Sequence, residues 1–137
     1  MNSVSQTVIA LDVGEKRIGV AWGDTIVRIA SPLDALDMAD GVVANIAKLI
    51  QSTGASTLVL GLPRNQSGAE TAQTQYVRDF AHRLNALKAL VVFQDESLTS
   101  VMAEQRLEAR GKKYCKADID SEAAAIILTD YLERNYS

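Results

Sequence analysis

Short apolar runs broken by turn residues, followed by longer stretches of helical period, divide the chain into nine elements. Thr7-Val8-Ile9-Ala10-Leu11 leads into Asp12 and Val13, and a second apolar run begins at Arg17, so residues 7–13 and 17–23 read as two strands around the Gly14-Glu15-Lys16 turn. Ile26 to Ala30, reaching toward Leu36, reads as a third. Connections this short make the three an antiparallel meander. Asp40 is placed to cap a helix whose apolar positions Val42, Val43, Ile46, Leu49 and Ile50 follow the 3.6-residue period and which Gly54 ends. Thr57-Leu58-Val59-Leu60-Gly61 is a short run without charge, as expected of a strand covered on both faces. A helix over 68–86 follows, presenting Val77, Phe80, Ala81, Leu84 and Leu87, and Leu90-Val91-Val92-Phe93 is a second such strand. Helices over 98–110, ended by Gly111, and over 120–134 complete the pattern.

A meander followed by crossover units that add parallel strands is the order of a ribonuclease H-like α/β domain. The expected sheet is mixed and five-stranded, three antiparallel strands then two parallel, flanked by helices. At 137 residues the chain fits one domain, expected over 7–135 behind a disordered tail at 1–6. A hydrophobic share of 47% against 23% charged is that of a soluble globular protein, and no stretch approaches the roughly 20 apolar residues of a membrane span. Met1 to Gln6 carry neither a basic stretch nor a cleavable apolar region, so a cytoplasmic location is expected.

Chemistry is narrowed by what is scarce. Cys115 is the one cysteine and His82 the one histidine, which excludes an internal disulfide and a Cys/His zinc site. Catalysis must then rest on carboxylates, hydroxyls or metals. Asp12 is a carboxylate set inside a strand, on the face shared by Val8 and Ala10. A buried unpaired carboxylate costs several kcal/mol or becomes neutral, so it calls for a cation. Glu96 follows the fifth strand, where open α/β sheets place their ligands. Asp120 is expected at the N-terminus of the last helix, whose small residues allow close approach to the sheet. Three gathered carboxylates repel strongly unless divalent cations neutralise them. All-oxygen ligand sets suit Mg²⁺ or Mn²⁺, and two such ions stabilise the attacking and leaving oxygens of phosphodiester cleavage. Singly, each acid has a plainer reading: Asp12 as a turn residue, Asp118 or Asp120 as a helix cap, Glu96 as a first-turn glutamate.

The formal charge of −3 argues against nucleic-acid binding by bulk electrostatics. Locally, Arg106, Arg110, Lys112, Lys113 and Lys116 stand against one acid, Glu108. A helix C-terminus accommodates Arg106 and Arg110 but explains Lys112, Lys113 and Lys116 poorly, so the segment is a candidate for phosphate contact. Asn65, Ser67 and the flexible Gly68 offer further donors to phosphate.

Four motifs carry a resemblance: Leu11-Asp12-Val13-Gly14-Glu15-Lys16-Arg17-Ile18-Gly19-Val20-Ala21, Gly61-Leu62-Pro63-Arg64-Asn65-Gln66-Ser67-Gly68, Asp95-Glu96-Ser97-Leu98-Thr99-Ser100 and Ile119-Asp120-Ser121-Glu122-Ala123-Ala124. In this order, over residues 8–132, the chain resembles the YqgF/RuvX family of Holliday-junction-resolvase-like nucleases linked to 5′-end maturation of 16S ribosomal RNA precursors. The resemblance implies a Mg²⁺-dependent phosphodiesterase of ribonuclease H-like fold with Asp12, Glu96 and Asp120 as catalytic acids and metal ligands. Its expected partners are precursor ribosomal RNA or branched DNA, and no membrane. It departs at Ser97, where the family usually has Arg, removing a permanent cation beside the acid. Lys16, Arg17 or the 106–116 segment are placed to supply that charge. Three competing readings stay open: a resolvase, which needs a symmetric homodimer where an RNA-trimming enzyme works as a monomer; an actin-like ATPase, disfavoured by length; and a non-catalytic adaptor of the same fold.

Overall fold

The computed structural model describes residues 4–96 and 99–136. Five strands, β1 (Thr7–Val13), β2 (Arg17–Asp24), β3 (Ser31–Asp37), β4 (Thr57–Pro63) and β5 (Leu90–Glu96), form one sheet in the order β3-β2-β1-β4-β5. Helices α1 (Val42–Thr53), α2 (Ala72–Arg83), α3 (Thr99–Arg110) and α4 (Lys116–Tyr136) flank it. β2 pairs antiparallel with β1 and β3, whereas β4 pairs parallel with β1 and β5, so the mixed sheet is the one the element order predicts.

Alternation along β1 divides the molecule into two cores. Ile9, Leu11 and Val13 face α1 and α2, packing with Val42, Ile46, Val77, Phe80 and Leu84. Val8 and Ala10 face α4, packing with Ala124, Ala125, Ile127, Leu128 and Leu132. Period two puts Asp12 on the α4 face. Its cross-strand partner there is Gly19, as Ala21 is for Ala10 and Gly23 for Val8. A Cβ on Gly19 would stand 1.9 Å from the Asp120 carbonyl oxygen and 2.8 Å from the Ser121 nitrogen. The missing side chain therefore admits the backbone of α4, setting Asp120 beside Asp12.

Several expectations are corrected. The third strand begins at Ser31, not Ile26: the Asp24 carboxylate accepts hydrogen bonds from the Ile26 and Val27 amides, closing a turn that leaves Ile26, Val27 and Ile29 exposed. Asp40 does not cap α1; Gly41 does, in the left-handed region at φ 60°, without a side-chain bond. Gly54 ends α1 as expected, at φ 73°. α2 begins only after Thr71, which exchanges capping bonds with Thr74. β5 extends to Glu96 and lies at the sheet edge, so it is half exposed where β4 is buried along nearly its whole length. Gln6, placed in the tail, exchanges hydrogen bonds with Thr25. α4 begins four residues before Asp120, with the Asp118 carboxylate accepting from the Cys115 amide at its start.

Gly19→Ala forces apart two pieces of backbone and should cost about 3 kcal/mol or more in denaturant unfolding. Gly61→Ala meets chiefly the Ile127 side chain, its Cδ1 at 2.5 Å, which can rotate away. That variant should lose only about 1–2 kcal/mol.

Candidate active site

Asp12 lies on the last turn of the β1 pleat, partly buried beneath α4. No hydrogen-bond donor among the described residues reaches its carboxylate. Burial, and then the charge of Asp120, push its carboxyl from 3.8 up to about 7. Asp120 occupies the second turn of α4, too far inside the helix to act as its cap, and its Oδ2 accepts from Arg17 Nε at 2.8 Å. Next along α4, the Ser121 hydroxyl accepts from the Val20 amide at 3.3 Å, beside the irregularity in β2–β3 pairing between Ile18 and Val20. That bond fixes the register of α4 over Gly19.

Glu96 ends β5 and accepts a hydrogen bond from the Thr99 hydroxyl. Burial, then the charges of Asp12 and Asp130, push its carboxyl from 4.5 up to about 8. Asp130 was not anticipated: it stands ten residues beyond Asp120, and ten residues at 100° each bring it roughly 80° short of a full repeat, so no helical spacing links the two. It shares a cleft with Glu96, Arg64, Asn65, Thr99 and Arg134. The acids thus form a line, Asp120 felt by Asp12, and Asp12 and Asp130 felt by Glu96. Among the described residues no three acidic, His or Cys side chains stand together as a ready metal-binding group. The donor chemistry nevertheless suits a hard divalent cation: oxygen ligands only, two of them raised by burial and then by their neighbours' charge.

The residues expected to contact nucleic acid fall into two sets. Lys16, Lys112, Lys113 and Lys116 are exposed and enter no ion pair among the described residues. Lys116 lines a cleft with Arg17 and Asp120, while Lys112 and Lys113 line another with Tyr114, Leu33 and Asp34. Arg110 instead grips Glu122, whose side chain is 3% exposed, with nitrogen–oxygen distances of 2.7 and 3.3 Å. Burial raises the Glu122 carboxyl, but Arg110 and Arg106 outweigh it and hold that carboxyl below its ordinary range. Asn65 and Ser67 face each other: Asn65 Oδ1 accepts from the Ser67 hydroxyl and from the Ser67 and Ala69 amides, shaping the loop after β4. Ser97 lies outside the described residues.

A family model for RuvX, described as Holliday junction resolvase, matches residues 6–134. The chain belongs to the RuvX family. A relative from Chloroflexus aurantiacus, named "Putative pre-16S rRNA nuclease", is 45% identical over 137 residues, covering 96% of this chain and 90% of its own. One of the same name from Shewanella oneidensis is 39% identical, covering 96% and 97%. Solved structures share the fold at lower identity. Thermus thermophilus RuvC in complex with a Holliday junction aligns at TM-score 0.54 and 14% identity over 94% of each chain. The fowlpox virus resolvase with its junction DNA aligns at 0.57 and 11%, over 96% of this chain and all of its own. The RuvX chain thus has the ribonuclease H-like sheet that its pattern predicted, and no helix of its described residues is long and apolar enough to cross a membrane.

The raised carboxyls give a signed pH dependence. A carboxyl harder to ionise in the folded than in the unfolded chain favours folding while protonated, and loses that contribution as pH rises through its folded value. With divalent cations chelated, stability should fall between pH 4 and 8 as Asp12 and Glu96 ionise. Asp12→Asn should be more stable than wild type at pH 8 by about 1–3 kcal/mol, and level with it or weaker at pH 4, in urea unfolding followed across pH.

Proposed function

We propose that this protein is a divalent-metal-dependent nuclease that hydrolyses phosphodiester bonds in the 5′-end maturation of 16S ribosomal RNA precursors in the cytoplasm. The observation that carries the reading is the Asp12 carboxylate: held on the central strand with no donor among the described residues, and raised first by burial and then by the charge of Asp120 beside it. Retaining such a group costs stability, which is characteristic of a site kept for chemistry.

Asp12, Glu96 and Asp120 would hold Mg²⁺ or Mn²⁺, two ions in all, with Asp12 central because both other acids lie within its field. When bound, the metal supplies a water ionised near neutral pH and neutralises charge on the phosphate. The chain's own contribution is orientation. Gly19 lets α4 carry Asp120 to Asp12, the Ser121–Val20 bond holds the helix in place, and the Thr99 hydroxyl directs Glu96. Exposed Lys116 lines the cleft that holds Asp120, Lys16 borders Arg17 in a second cleft, and Lys112 and Lys113 line a third with Ser121; these lysines would position the phosphate backbone. Arg110 serves this surface indirectly, by neutralising Glu122 beneath it.

Relatives named for the precursor ribosomal RNA favour RNA as the substrate. The junction complexes among the fold neighbours support branched DNA as a second reading. Metal-dependent cleavage of a 5′-extended 16S precursor and of a four-way junction, side by side, distinguishes the two. Asp12→Asn and Asp120→Asn should each lower the rate more than about 100-fold, as removal of a group acting in the transition state does. Equal cleavage by wild type and variants would overturn the site. Charge reversal at Lys112, Lys113 and Lys116 together should weaken RNA binding and flatten its salt dependence, with the slope falling by about 2–3.

A further inference from the structure

Of the acids in the line, Asp120 alone is engaged by a guanidinium. Arg17 Nε lies 2.8 Å from its Oδ2, while Asp12, the neighbouring carboxylate, has no donor among the described residues. The pair is not sealed: the two side chains retain 34% and 26% of their exposure. Arg17 also borders two clefts, one shared with Lys116, Ile119 and Asp120, the other with Glu15, Lys16 and Asp37, so its guanidinium has open space beyond the carboxylate. An oxygen accepting from a guanidinium offers less of its charge to a cation. A solvent-accessible ion pair is worth no more than about 1 kcal/mol, or about fivefold in an equilibrium, so this one is readily exchanged.

We infer that Arg17 is a partner-exchanging positioning residue: it pairs with Asp120 while the metal site is empty and gives up that carboxylate when a divalent ion binds, freeing its guanidinium for a substrate phosphate. The inference rests on the nuclease reading and adds a coupling to it. Metal binding and phosphate binding then favour each other through one side chain, and linkage requires the effect to be reciprocal. The fork geometry of guanidinium matches both partners, carboxylate and phosphate, which a lysine at this position would not reproduce.

The test uses the full chain and Mg²⁺ or Mn²⁺ alone, followed by calorimetry without nucleic acid. Arg17→Ala should bind the ion about 2- to 5-fold more tightly than wild type. Lys16→Ala, which removes an adjacent charge that enters no ion pair among the described residues, should change affinity less. In wild type the Arg17 Nε–H resonance should shift as the ion saturates the site, and Asp120→Asn should abolish that shift. For a short single-stranded RNA, Arg17→Ala should reduce affinity several-fold with Mg²⁺ present and little with the ion chelated. Equal metal affinity in wild type and Arg17→Ala, an effect matched by Lys16→Ala, an unmoved Arg17 resonance, or an equal loss of RNA affinity in both conditions would each overturn the exchange while leaving the nuclease reading standing. Failure of the ion to bind wild type and Arg17→Ala alike would sink both.

Discussion

The contact between β2 and α4 at Gly19 is the constraint on which the rest depends. Asp12 and Gly19 are cross-strand partners, and the α4 backbone at Asp120 and Ser121 sits where a Gly19 side chain would be. A helix normally stands off a sheet by the length of the side chains between them. Here that spacing is removed at one point, and two carboxylates from distant parts of the chain meet. Gly23 and Gly61 extend the same thinning toward Leu128 and Ile127, so α4 is seated along its length by small residues on the sheet face.

That seating explains the electrostatics. The close approach desolvates Asp12 and adds the field of Asp120, and both effects make ionisation harder. Glu96, arriving from the edge strand, meets the same penalty from Asp12 and a further one from Asp130. The protein compensates unevenly, with Arg17 on Asp120 and a Thr99 hydroxyl on Glu96, while Asp12 has no donor among the described residues. Elsewhere it behaves differently: Glu122, more deeply buried than any of these, receives two guanidiniums. Glu122, on α4 itself, and Asp12, on the strand beneath it, thus differ: the first carboxylate is paired with two guanidiniums, the second with no donor among the described residues.

Much of this was legible in the residues. Alternation along β1 assigned Asp12 to the face of Val8 and Ala10, and the order of elements specified the mixed sheet. Boundaries were legible where a residue has one dominant local use, as with the left-handed glycines at 54 and 111. They were misread where two local uses compete. Ile26 to Ala30 has strand composition, but the Asp24 carboxylate captures two amides and makes a turn. Asp40 has the chemistry of a cap, but Asp37 takes the turn and Gly41 the capping position. The charge run after Arg106 divides in the structure: Arg106 and Arg110 are committed to Glu122, whereas Lys112, Lys113 and Lys116 enter no ion pair among the described residues. Nothing in a list of charges tells which cation has a buried acid beneath it.

By itself the sequence determined the periodicities, hence which elements form and which face of each is apolar, because those follow from local geometry repeated at every residue. It also excluded an internal disulfide and a Cys/His zinc site, since it has one cysteine and one histidine. Only the tertiary structure decided which charges meet. Arg17 finds Asp120 across 103 residues, Glu122 finds Arg106 and Arg110 on another helix, and Glu96 feels Asp130 from a face of α4 that no spacing pointed to. Coulomb energies fall off over a few ångströms and depend on burial. Sequence distance contains neither quantity, and both appear only when the helix is laid on the sheet.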